Sequence, residues 1–367
     1  MFVTTEQGFV FRAISGGTAG PRCAVLADGR VLCSFMAQSK LGVNDFVPMI
    51  AESRDLGRTW SGARPVWPEL AGHYSLFCSI SGSPSGELFL YGSRTRIDAP
   101  GESFWSDATQ GLKANDLFIA RSQDGDRWTE PASFRLPEPG AAECPGALCV
   151  TRSGRWVCCY SPYNTFDPDV RVKRDRVVAM LSDDCGLTWR GRRMMDFANP
   201  DDGAAEAWVV ELADGRLFGA CWHMNVRAGS DYENAFVISN DVGETWSPVA
   251  STGIRGQSVA LAPLPDGRVL MVYNQRKADP RGVWLAAATP SAADFGLQAN
   301  RIVWRAENST QSGTSGEHAT WTDFAFGEPS VTLLPDGSLL LVFWCAQPSG
   351  SGIGFARVTM ESSSMVD

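Results

Sequence analysis

One eight-residue pattern keeps returning along the chain. Ser53-Arg54-Asp55-Leu56-Gly57-Arg58-Thr59-Trp60 recurs at 182–189 and again at 239–246, and a copy one residue shorter occupies 122–128. The spacing S-x-D-x-G-x-T-W has a mechanical reading. The Asp carboxylate accepts turn amides and hydroxyls, Gly permits a positive-φ corner, and Trp packs back into the core. A second pattern interleaves with it. Residues 24–32 form an apolar strand, an Asp28-Gly29 turn and a second apolar strand, which reads as a hairpin. Equivalent turns stand at Ser85-Gly86, Ser153-Gly154, Asp214-Gly215, Asp266-Gly267 and Asp336-Gly337.

Six hairpins joined by such corners constrain the chain to a radial repeat. Each hairpin is followed by a third strand, at 46–50, 117–120, 177–180, 235–238 and 283–286 in the first five units. The corner then leads to a fourth strand, except in the fifth unit, where Thr289-Pro290-Ser291 replaces it. The sixth unit ends at 353–358, and Phe9-Val10-Phe11-Arg12 can supply its outer strand. The fold expected is all-β: one six-bladed β-propeller of four-stranded antiparallel blades over 1–367, closed by pairing its two ends.

Composition excludes several classes of function. The chain is 44% hydrophobic and 20% charged, which is globular rather than disordered. A net charge of −9 disfavours nucleic acid and anionic membranes as partners. No window approaches 18 consecutive apolar residues, so no membrane-spanning helix is expected. Met1-Phe2-Val3-Thr4-Thr5-Glu6 lacks a basic segment followed by an apolar stretch, so no signal peptide is read and a cytoplasmic location is expected. The ten Cys lie inside apolar runs without a CxxC pair and read as buried, reduced thiols. His73, His223 and His318 show no metal-ligand spacing, so no metal or cofactor is expected.

Propeller topology sorts the loops. Asp-Gly turns and corner motifs share one face, so the chain entering strand one and leaving strand two surrounds a central pocket on the other. The long loops 94–115 and 161–174 belong to that face. Glu206 and Glu328 each stand eight residues before their Asp-Gly turn, at matching heights. Recurrence at one register separates them from solvated rim residues. Other strand starts carry Arg22, His73, Tyr74, Glu143, Arg255 and Gln257, and loop exits add Arg94, Tyr160, Trp222, His223, Asn274 and Arg276. Carboxylates, arginines and aromatics converging on a concavity suit a carbohydrate ligand.

The corner motif resembles the Asp-box of the sialidase (BNR-repeat) superfamily, and the resemblance covers nearly the whole chain. It implies a sialidase-like propeller in which the box aspartates are structural. Glu206-Ala207-Trp208-Val209-Val210-Glu211-Leu212-Ala213-Asp214-Gly215-Arg216 looks like the segment bearing the Glu that assists the nucleophile. The family's nucleophilic Tyr falls on Glu328, and its acid/base Asp comes from the loop holding Asp45. Of the arginine triad that grips a sialic-acid carboxylate, the first falls on Ala19, two residues before Pro21, and the second on Trp222; Arg255 is the candidate third.

The resemblance therefore implies a glycoside hydrolase with paired carboxylates that is not a typical sialidase. Glu206 and Glu328 are the first catalytic pair, with Asp45 and Glu143 as alternative acid/base groups. Two other readings stay open. One is a catalytically silent glycan-binding propeller. The other is a lyase on uronic acids that uses His73 or His223 with Tyr as base and Arg as carboxylate clamp.

Overall fold

The computed structural model describes residues 2–144, 146–312 and 321–360; His318 lies outside them. Six antiparallel sheets follow one another as the blades of a propeller. The innermost strands are Gly17–Val25, Tyr74–Gly82, Ala141–Glu143 with Cys149–Val150, Asp202–Glu211, Gln257–Pro263 and Phe326–Leu333. Second strands are the most deeply buried, as in Val31–Gln38 and Leu339–Gln347, because both faces pack against neighbouring blades. Aromatic contacts fill the gaps between blades two and three, where the Phe89 and Trp156 ring centroids lie 4.8 Å apart. The ten cysteines form no disulfide; seven are buried, Cys23 and Cys149 are half-buried, and Cys185 is exposed.

The Asp-boxes close as their composition dictates. In the third blade Asp184 accepts the Ser182 hydroxyl at 2.8 Å, the Thr188 amide at 2.8 Å and the Thr188 hydroxyl at 2.6 Å. The Ser182 oxygen in turn accepts the Gly186 amide, and the Trp189 indole N–H donates to the Gly186 carbonyl. Asp55 and Asp241 repeat the arrangement. The corner needs two left-handed residues in succession, Leu56-Gly57, Cys185-Gly186 and Val242-Gly243, so a non-glycine residue shares the strain. The shortened box lacks that first residue, and Asp124 instead accepts the amides of Asp126 and Arg127.

An arginine following the hairpin turn fastens each of three blades to the next. Arg30 donates to the Asp124 carbonyl, Arg155 to Val242 and Arg216 to Pro290. At the closing seam Arg357 plays this part toward the Leu56 carbonyl while also bonding Asp336. The seam itself is a strand pair longer than the sequence implies: Phe2–Arg12 runs antiparallel to Gly350–Met360, from Phe2 opposite Met360 to Arg12 opposite Gly352.

Candidate functional site

Four inner strands are interrupted at the same height. Counting back eight residues from Asp28, Asp214, Asp266 and Asp336 lands on Gly20, Glu206, Ser258 and Glu328. Their φ values are +56°, +53°, +31° and +46°, and strand register slips at each of them. These are β-bulges, which re-aim a side chain out of the ladder. For glutamate a left-handed backbone costs on the order of 1 kcal/mol, and such strain concentrates at functional sites. The bulges deliver Glu206 and Glu328 to a cleft of about 220 Å³ on the central axis.

Glu143 from blade three joins them in the lining. Two of the three carboxylates accept a backbone amide from the next blade. The Glu206 N–H donates to Glu143 Oε2 at 2.8 Å, and the Gly20 N–H donates to Glu328 Oε2 at 2.8 Å. Burial, reinforced by the Glu206 charge, pushes the Glu143 carboxyl well above the ordinary range. Burial and the Glu328 charge push Glu206 up to about 7, against the pull of Arg276. Glu328 is also raised by burial, but Arg22, the Gly20 amide and Arg276 all pull it back. Among the described residues Glu206 Oε2 is buried and accepts no hydrogen bond.

Two buried guanidinium groups balance these carboxylates. Arg22 lies beneath the cleft floor, donates to the Glu328 carbonyl at 2.8 Å and sits 5.0 Å from the Trp208 ring. Arg276 lines the cleft, 3.8 Å over the Phe324 ring and 5.7 Å from that of Trp222. Burial lowers Arg276 to about 10, with Glu206 and Asp231 opposing. Trp222 is aimed by its indole bond to Asp231, at 3.2 Å. The same carboxylate accepts Gln257 at 3.0 Å and Lys277 at 2.9 Å, and Gln257 Oε1 receives the Arg276 amide. Gln257 is thus a support behind the wall.

The remaining sequence candidates lie away from this lining. Asp45 is turned outward to the Ser39 amide because Asn44 and Phe46, its neighbours along an extended backbone, take the inward positions. His73 is exposed in the turn before blade two, and Arg94 covers the Tyr74 ring at 5.0 Å. Tyr160 is buried between blades two and three. His223 stacks on Phe197 at 4.3 Å beside Asp202, and burial lowers its pKa against the pull of that carboxylate. Arg255 is exposed, while Asn274 is buried away from the cleft.

Residues without a signal in the repeats complete the lining: Phe77, Phe104, Trp321, Phe324 and Trp344, with Gln38. Gln38 and Trp344 stand near the ends of second strands, the position that singled out Trp222, and that rule could have found them. Among the described residues no group of three or more His, Cys, Asp or Glu is arranged to hold a metal ion.

This propeller with its Asp-boxes defines a protein of the sialidase-like superfamily. Residues 80–307 match the BNR repeat-like domain, and the chain belongs to that family. No curated protein matches it. Among solved structures it is similar to a protein of unknown function from Dyadobacter fermentans DSM 18053, with a TM-score of 0.78 and 17% identity over 98% of this chain and 99% of the other. The NanB sialidase of Streptococcus pneumoniae, in complex with 2-[(3-chlorobenzyl)ammonio]ethanesulfonate, superposes with a TM-score of 0.65 at 15% identity, covering 96% of this chain and 70% of its own. An α-L-arabinanase of Penicillium chrysogenum complexed with arabinobiose gives 0.61 at 15% identity, covering 97% and 98%. Identities this low establish shared fold.

Proposed function

We propose that the protein is a glycoside hydrolase acting on a glycan bound in the central cleft. The observation that carries this reading is the convergence of three half-buried carboxylates, from blades three, four and six, on one cleft beside Arg276. Glu206, raised to about 7, is the proton donor to the leaving oxygen. Glu328, whose burial-raised carboxyl is pulled back by Arg22 and the Gly20 amide, attacks the anomeric carbon or activates water. Glu143, its carboxyl raised by burial, positions the Glu206 backbone through the amide it accepts. Ala19 and Trp222 occupy the lining where a sialidase-type clamp would need arginines, and Arg276 already faces Glu206 and Glu328. Sialic-acid glycosides are therefore poor substrates, because an unclamped carboxylate is costly to desolvate.

The test is a screen of aryl glycosides and natural oligosaccharides with the wild type, Glu206→Gln and Glu328→Gln. Turnover of at least one neutral glycoside is expected, lowered by about a thousandfold in either variant. Activity should fall as pH rises through about 7, where Glu206 gives up the proton it must donate. It should also fall in acid as Glu328 becomes protonated. Binding without turnover across the whole screen would leave the silent glycan-binding reading standing instead. Efficient hydrolysis of an N-acetylneuraminic acid glycoside would overturn the specificity.

A further inference from the structure

A second pocket, of about 300 Å³, opens at the seam between blades six and one. It shares Leu41 and Trp344 with the central cleft, so these two side chains line both cavities. Its lining is rich in hydroxyls and bare backbone, including Thr18, Ser39 and Ser351 beside Gly17 and Gly352. Lys40, at the exposed rim, is its one charged side chain among the described residues.

Gln38 stands where the cavities meet. It lines the cleft, while a Cβ placed on Gly17, in the second pocket, would lie 3.5 Å from Gln38 Nε2. Gln38 is 6% exposed, and neither its amide oxygen nor its amide nitrogen has a partner among the described residues. A buried amide with both atoms unmet is costly and persists where a ligand completes it. Trp344, which lines both cavities, also packs its indole against the backbone beside Glu328: a Cβ placed on Gly327 would lie 3.1 Å from Trp344 Nε1. The boundary between the pockets therefore lies beside Glu328.

We propose that the second pocket binds the neighbouring sugar of a neutral oligosaccharide, so that the linkage between two sugars crosses the boundary next to Glu328. The inference rests on the carbohydrate reading above and adds the substrate's size and charge. Sugar hydroxyls both donate and accept, which is what the Gln38 amide lacks, and an indole wall suits the apolar face of a pyranose or furanose ring. A phosphate or carboxylate would find no buried cation in this lining.

The experiment applies the full-length chain to a printed array of neutral oligosaccharides of two to six units with the corresponding monosaccharides. At least one oligosaccharide should bind about tenfold or more above its terminal monosaccharide. That excess should shrink to within about twofold in Ser351→Trp, which fills the pocket, and in Gln38→Leu, whose lost amide made no contact within the protein. Equal binding of oligosaccharide and monosaccharide would overturn the extension and leave the glycosidase reading intact, as would an excess that survives in both variants. Silence across the array overturns the carbohydrate reading and this one with it.

Discussion

Glu206 carries two penalties at once: a left-handed backbone and a buried carboxyl without a hydrogen bond to one of its oxygens. Its position was legible, since the distance to the Asp-Gly turn marks it and Glu328 alike. Its conformation was not, because nothing in a glutamate's chemistry announces φ near +53°. Glu206→Gly should therefore raise stability by about 1 kcal/mol or more while abolishing turnover, as measured by urea unfolding and glycoside assays. The pH dependence has a definite sign. Folding lifts this carboxyl from 4.5 to about 7, so between those values the native state keeps a proton that the unfolded chain releases. Stability must then fall as pH rises across that window, by an amount on the order of 3 kcal/mol from this group. Glu206→Gln should flatten the profile, and an unchanged slope would refute the assignment. Glu143, raised by the same burial, contributes a decline of the same sign.

Hairpins and Asp-boxes were readable because their turns need particular residues. The fastening between blades was not, since Arg after a hairpin turn looks like any solvated charge. Arg155 illustrates the difference. It reaches Asp183 at 2.7 Å, Glu244 at 2.9 Å and the Val242 carbonyl at 3.1 Å, with its side chain only 19% exposed. Arg54 meets Glu52 at the same 2.7 Å but is 78% exposed. Arg155→Ala should cost about 1–2 kcal/mol in denaturant unfolding, whereas Arg54→Ala should stay within about 0.5 kcal/mol of wild type. Equal effects would show that the bridging arginines do not fasten the blades. Blade two departs from the rule with Glu87 after its turn, which grips Arg121 in two bonds of 2.9 Å within its own sheet. Asp45 lies outside the cleft lining for a related reason: one step along an extended backbone decides which side chain enters the cleft, and the repeats do not fix that step.

At the scale of the molecule, the ring closes where the site is built. Glu328 of blade six receives the Gly20 amide of blade one and offers its carbonyl to Arg22, and Ser330 donates to the Pro21 carbonyl at 2.8 Å. Both cavities draw on these two blades. Their closeness depends on the strand Phe2–Arg12, whose middle, Thr4-Thr5-Glu6-Gln7-Gly8, lacks the apolar alternation of a strand. The waiting edge of Gly350–Met360 makes it a strand, so tertiary context decides what local sequence leaves open. Removing residues 2–12 would bare an eleven-residue edge, and uncovered edges invite pairing between chains. The truncated protein should melt at a lower temperature and scatter more light on warming. Its turnover should fall further than the loss of folded protein explains, because the Gly20 and Arg22 contacts that poise Glu328 span the loosened seam. A synthetic peptide of residues 2–12 added in trans should restore part of both. An unshifted melting temperature with full activity would show that the seam holds without its outer strand.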